Sequence, residues 1–243
     1  MSLRWLAISI LLGLVFLGMV FQSYNQFYRP RLQWANNNLI VLLTMTIDPK
    51  STRYARRTNI TERIQDYRKS LKRWAKLPYK VIAIESSGYG NPFADILTNA
   101  KNIIYISEKI PHKPERGKGY GESQIIKYAM RDIIYDNNIY IMKLTGRYAP
   151  IDDMTELMDV LRLQAPNVLY RPNYSEWFVA KRQFYIDLAE SCIEKCDDDP
   201  AKNMTWFEKN LLEFAQANNA MPYNTRIQVI ETINGSNTEI EQI

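Results

Sequence analysis

Leu39-Ile40-Val41-Leu42-Leu43-Thr44-Met45-Thr46-Ile47 decides the fold. The run has no charge and no polar/apolar alternation, so neither face of the strand it forms is suited to water. Strands of this kind lie inside parallel sheets covered by helices on both faces. The next segment agrees. Asn59, followed three residues later by Glu62, reads as a capping box, and Ile64, Tyr67, Leu71 and Trp74 then fall at helical spacing before Pro78. A second apolar run, residues 81–85, completes the alternation of an α/β domain.

The pattern continues outward. Residues 88–92 read as a turn, 103–107 as a strand, and 108–121 as a polar loop rich in Lys, Pro and Gly. A helix is expected over 122–134, a strand over 139–144 closed by Thr145-Gly146-Arg147-Tyr148 and Pro150, a helix over 154–163 and a strand over 168–170. The remainder reads as mostly helical, including 205–217 with Thr205 as N-cap and Glu208 three residues on. No internal repeat or low-complexity tract appears. Cys192 and Cys196 stand four apart in a predicted helix and read as ordinary thiols, too few for a disulfide framework. His112 is the only histidine, which excludes a His-based metal site or a His-dependent triad built within this chain.

Residues 5–21 are apolar except for Ser9. At about 1.5 Å per residue they make about 25 Å of helix, the short end of what spans a bilayer. The run is long for a signal-peptide core, and no small-x-small site follows at residues 19–25, so an uncleaved anchor is expected over a cleaved leader. The organisation expected is a stub and signal anchor over 1–21, a stem over 22–38, one domain over 39–233 and a polar, disordered tail over 234–243. Arg4 balances Arg29 and Arg31 across the anchor, so charge barely sets orientation. The reading is single-pass, type II: Golgi or ER lumen in a eukaryote, otherwise a bacterial inner membrane or a viral assembly membrane. Asn59, Asn173, Asn203 and Asn234 head Asn-x-Ser/Thr acceptors that a lumenal domain could use.

In open α/β sheets ligands bind beyond the carboxyl ends of the strands, and those ends are polar here. Arg116-Gly117-Lys118-Gly119-Tyr120-Gly121-Glu122 brings glycines, two cations and a carboxylate to a helix start, which suits a phosphate. It matches neither a P-loop nor a dinucleotide fingerprint. Lys143 puts a cation inside an apolar strand, where it needs a partner: an anionic ligand together with Arg147 past Gly146, or a structural bridge to Glu85 or Glu122.

Taken together, Thr44-Met45-Thr46-Ile47, Arg63 with Tyr67, Leu71 and Trp74, Glu85-Ser86-Ser87-Gly88, Gly117-Lys118-Gly119-x-Gly121-Glu122 and Lys143-Leu144-Thr145-Gly146-Arg147-Tyr148 resemble membrane-associated or polysaccharide-cluster glycosyltransferases of GT-A-like fold. The resemblance covers roughly residues 39–215, and its most specific block is Lys-Leu-Thr-Gly-Arg-Tyr. It departs at Ser86, where the pattern has Asn. It implies a GT-A-like, Rossmann-like open and mostly parallel sheet, a nucleotide-sugar donor, and a glycan, lipid-linked or protein acceptor. Thr46, Arg63, Tyr67, Glu85, Ser87, Lys118, Glu122, Thr145, Gly146 and Tyr148 would surround the donor, with Asp48 near base or ribose. Tyr67 also lies on the core face of its helix, and Glu122 can equally cap its own. The Asp-x-Asp pair usual in such enzymes does not close the strand over 139–144, and Asp152-Asp153 reads as a helix start. Neither cofactor nor divalent metal is therefore expected: Lys143, Arg147 and Lys118 would stabilise the leaving diphosphate. Glu208 is the candidate base toward the acceptor, with Glu176 its rival.

The chain carries a formal charge of +5, and residues 53–80 hold ten cations and two carboxylates. The same helix has a clean apolar stripe, so the charge reads as its solvated face, and no nucleic-acid partner is expected. The alternative function is a non-catalytic, membrane-tethered binding or scaffold protein with a GT-A-like body.

Overall fold

Strand β1 (Leu39–Met45) is buried along its whole length, as a run without alternation requires. The computed structural model describes residues 39–50, 52, 55, 58–150, 154–170, 177–199 and 206–222. The expected anchor, stem and tail, and Asp152, Asp153, Glu176 and Thr205, lie outside the described residues. Among the described residues no helix is long and apolar enough to cross a membrane.

The other strands are β2 (Lys80–Glu85), β3 (Ile103–Ser107), β4 (Tyr140–Thr145), β5 (Val168–Tyr170), β6 (Trp177–Lys181) and β7 (Met221–Pro222). They form one seven-stranded sheet in the order β3-β2-β1-β4-β6-β5-β7. Strand β6 runs against both neighbours, and the remaining pairs are parallel. The fold is therefore α/β with a mostly parallel sheet, as expected.

The helices are α1 (Ile60–Trp74), α2 (Ala94–Leu97), α3 (Gly117–Asp132), α4 (Thr155–Gln164), α5 (Arg182–Lys195) and α6 (Phe207–Ala217). Helix α1 starts where Asn59 Oδ1 accepts the N–H groups of Thr61 and Glu62 at 2.9 and 3.3 Å. Lys72 and Arg73 in its last turn favour the negative end of its dipole. Its Tyr67, Leu71 and Trp74 pack in one cluster with Leu39, Val41, Leu43, Ala83 and Leu144 of the sheet. Fully burying each such aliphatic side chain contributes roughly 1.5–3 kcal/mol relative to exposure. The alternate residues Ile40, Leu42, Ile82 and Ile141 are equally buried, and so point to the opposite face. On α3, Ile125, Ile126 and Ala129 are buried, and α3 also packs on α5.

Two expectations are corrected. Residues 117–121 are the first turns of α3 rather than the end of a loop over 108–121. The stretch after β5 is not simply helical, because β6 inserts antiparallel between β4 and β5. Tyr185 of α5 locks that insertion: its hydroxyl donates to the carbonyls of Ile141 and Phe178 at 2.7 and 3.0 Å and accepts from Lys143 N–H at 3.2 Å. A 3-10 turn over Pro114–Arg116 lies within the expected loop, and short helix α2 lies between the expected turn over 88–92 and β3.

Candidate functional site

From β1 the chain builds β2 and β3 on one side, then crosses to place β4 on the other. Strand order reverses between β1 and β4, and their carboxyl ends bound the crevice where such sheets take ligands. Thr44, Lys143 and Thr145 share one face there, since Leu42 pairs with Lys143 and Thr44 with Thr145.

Lys143 is fully buried, and its ammonium lies 2.5 Å from Glu122 Oε1 and over the rings of Phe178 and Phe207 at 5.7 and 5.4 Å. Thr44 Oγ1 donates to the same carboxylate oxygen at 3.0 Å. Of the two structural bridges open to Lys143, the one to Glu122 forms. Lys143, expected to grip a diphosphate, is thus sunk behind Glu122 and holds that carboxylate toward the crevice, where 21% of the Glu122 side chain stays exposed. The pair is asymmetric in burial, and stability should show it. Glu122→Gln strands a buried ammonium and should cost about 3–5 kcal/mol. Lys143→Met leaves a partly hydrated carboxylate and should cost distinctly less, as read from urea midpoints; equal losses would contradict the asymmetry.

Arg63 and Tyr67 grip the chain after β1. Tyr67 hydroxyl accepts from Thr46 N–H at 3.0 Å and donates to Thr46 carbonyl at 3.1 Å, while Arg63 Nε donates to that carbonyl at 2.5 Å and its Nη2 to Tyr67 Oη at 3.0 Å. Thr46 Oγ1 and Ser86 Oγ are 2.8 Å apart, so Ser86 joins the two strand ends through a hydroxyl pair. Glu85 is buried and organises the next turn. It accepts from the N–H groups of Ile47, Ser87 and Tyr89 at 3.0, 2.8 and 3.0 Å, from Ser107 Oγ at 3.0 Å and from Ser87 Oγ. Ser87 Oγ in turn accepts from Asp48 N–H at 3.1 Å. Glu85 and Ser87, expected at base or ribose, shape the rim on which Thr46 and Asp48 stand.

Gly146 N–H donates to Thr44 carbonyl at 2.8 Å. A side chain there would overlap Met45 Cγ and sit 3.0 Å from Thr44 O and 3.3 Å from the Tyr67 ring. Its glycine is needed for strand packing, so Gly146→Ala should destabilise by about 1–3 kcal/mol; an unchanged melting temperature would refute this. Tyr148 is buried, and its carbonyl accepts from Ser70 Oγ and Trp74 Nε1, both at 2.9 Å. Between Gly146 and Tyr148 the chain is clamped from both sides, and Arg147 projects half-buried from the clamp. Its guanidinium lies 6.0 Å from the Tyr148 ring, with no carboxylate partner among the described residues.

The start of α3 is not an open anion site. Asp198 carboxylate accepts from Lys118 N–H at 2.8 Å and Gly119 N–H at 3.4 Å, the place a phosphate would take. Burial pushes the Asp198 carboxyl up, Glu208 adds to this, and the two N–H bonds and Lys118 oppose it. Arg116 answers reciprocally, donating to the carbonyls of Ile193, Glu194 and Cys196 at the end of α5. Gly117, at φ +83°, and Gly119 leave room for Asp198 and Phe207, while Gly121 makes room for the His112 ring. His112 Nε2 is 3.0 Å from Thr52 Oγ1, and burial lowers its pKa, partly offset by Glu115. Lys118 keeps its ammonium in solvent, 3.9 Å from Glu208 Oε1 on α6. Sequence reading missed Asp198, whose only signal was a short acidic run after Cys196. Among the described residues no cluster of His, Cys, Asp and Glu is arranged for a metal ion.

No protein-family model matches this chain, and no curated protein matches it in sequence. Solved structures share its outline. A protein described as a nucleotide-diphospho-sugar transferase from Desulfovibrio desulfuricans G20 is 12% identical over 76% of this chain and 80% of its own, with a TM-score of 0.47. A 4-diphosphocytidyl-2C-methyl-D-erythritol synthase from Anaerococcus prevotii DSM 20548 is 9% identical over 76% and 86%, also at 0.47. A protein described as a glucose-1-phosphate thymidylyltransferase from Bacillus anthracis, in complex with sucrose, is 8% identical over 79% and 88%, at 0.43. Likenesses this distant leave the chemistry to the residues of the site itself.

Proposed function

We propose that this chain is a membrane-anchored glycosyltransferase that moves a sugar from a nucleotide-sugar donor to a glycan, lipid or protein acceptor. The observation that supports it best is Arg147: a half-buried guanidinium on a pinned backbone just past the end of β4, unclaimed by any described carboxylate, on a strand whose Lys143 fixes the Glu122 carboxylate. The bond from the sugar's anomeric carbon to the diphosphate breaks as an acceptor oxygen attacks that carbon. Arg147 offers a planar fork to the diphosphate as it gains charge, and Lys118 adds a mobile ammonium. Glu122, held through Oε1, presents its other oxygen to donor hydroxyls, while Thr46 and Asp48 line the nucleotide side. Glu208 takes the acceptor's proton. With cations at the leaving group, catalysis needs no divalent metal.

Donor binding tests the reading. Full-length protein in detergent, screened against nucleotide sugars by thermal shift, should be stabilised by about 2.7 kcal/mol at 100 times the dissociation constant. Release of labelled sugar should follow; neither shift nor hydrolysis with any donor would leave the scaffold reading. The anchor has its own check: carbonate washing should keep the full chain in the membrane pellet, whereas a shortened soluble form would indicate a cleaved leader.

A further inference from the structure

Trp206, at the start of α6, leaves 59% of its surface in water, while Trp74 and Trp177 are only 0% and 1% exposed. Its backbone is fixed at the helix start. The next residue, Phe207, is buried against Gly119 and beside the Lys143 ammonium, and the Trp206 carbonyl accepts from Asn210 N–H at 3.0 Å in the first helical turn. Two residues on, Glu208 and Lys118 form a loose pair at 3.9 Å, with 38% and 66% of their side chains exposed. An exposed indole and the Glu208–Lys118 pair thus occupy the same helix start, on the side of the sheet that carries Glu122 and Lys143.

We propose that Trp206, with Glu208 and Lys118, forms the subsite for the acceptor's terminal sugar, an inference that rests on the transferase reading above. The electron-rich indole face attracts the weakly positive C–H patch of a pyranose ring. The carboxylate accepts from ring hydroxyls and the ammonium donates to them. A purely apolar partner would strip water from that charged pair and give nothing back, which is costly. A sugar replaces the water's hydrogen bonds while covering the ring. Stacking there also brings a hydroxyl beside Glu208, the group proposed to take its proton.

Saturation-transfer NMR on the full chain, with methyl β-glucopyranoside, methyl β-galactopyranoside and methyl α-mannopyranoside as probes and glycerol as control, tests the subsite without a donor. At least one glycoside should show transfer concentrated on the C–H protons of one ring face. Trp206→Ala should weaken its binding about tenfold, the equivalent of about 1.4 kcal/mol, and Trp206→Tyr should restore it to within about twofold. Thermal shift with donor reports folding of both variants. No glycoside binding to the wild type, or equal binding to Trp206→Ala, overturns the proposal. Trp206-dependent glycoside binding in a protein that binds no nucleotide sugar would keep a sugar site but remove its assignment to an acceptor, and with it the transferase reading.

Discussion

Arg147→Ala is expected to lower sugar transfer by about 100- to 1,000-fold, the effect of removing one preorganised donor from a developing negative charge. The size follows from how the residue is held. Gly146 is pinned to Thr44 and the Tyr148 carbonyl to Ser70 and Trp74, so the backbone that carries the guanidinium needs little reorganisation in the proposed transfer. Arg147→Lys should recover only part of the loss, because a point charge cannot engage two phosphate oxygens as a planar fork does. Folding should be untouched, since Arg147 bridges no described carboxylate. The fall should lie mainly in kcat, because charge builds on the leaving group in the transition state. Wild-type turnover should survive EDTA. If chelation abolishes it and Mn²⁺ restores it, the metal-free reading fails, and Asp152 or Asp153 becomes the place to look.

Strands β1 to β5 were legible because each is a short apolar run bounded by polar chain. Strand β6 was not, because Trp177-Phe178-Val179-Ala180-Lys181 passes into α5 without a turn residue to mark the change. The glycines of α3 misled for a related reason. Local propensity counts three glycines against a helix, whereas each is needed by a distant side chain: Asp198, Phe207 or His112. Burial logic required a partner for Lys143 and named two carboxylates, but only the packing of α3 on the sheet chooses Glu122. Arg63, Tyr67, Glu85 and Ser87 lie at the ends of β1 and β2, and several of their hydrogen bonds hold backbone. Sequence motifs mark where a site is built; they do not separate the groups that touch a ligand from those that hold the rim.

Glu208→Gln is expected to reduce transfer by about 100- to 10,000-fold, the range for losing a general base, while donor affinity stays nearly unchanged. The carboxylate is partly exposed, and its bridge to Lys118 is long, at 3.9 Å, so that bridge contributes little to stability. Retained donor binding would show directly that a dead variant is a folded one. The neighbours argue for the role. The Lys118 ammonium lies 3.9 Å from Glu208, so under the proposed mechanism the base and a leaving-group cation would belong to one cluster. Glu208→Asp should retain more activity than Glu208→Gln, because it keeps the proton-accepting charge and loses only reach. If Glu208→Gln transfers sugar at near-normal rate, the base lies elsewhere; Glu176→Gln is then the variant to measure, and a retaining outcome in the product would remove the need for such a base.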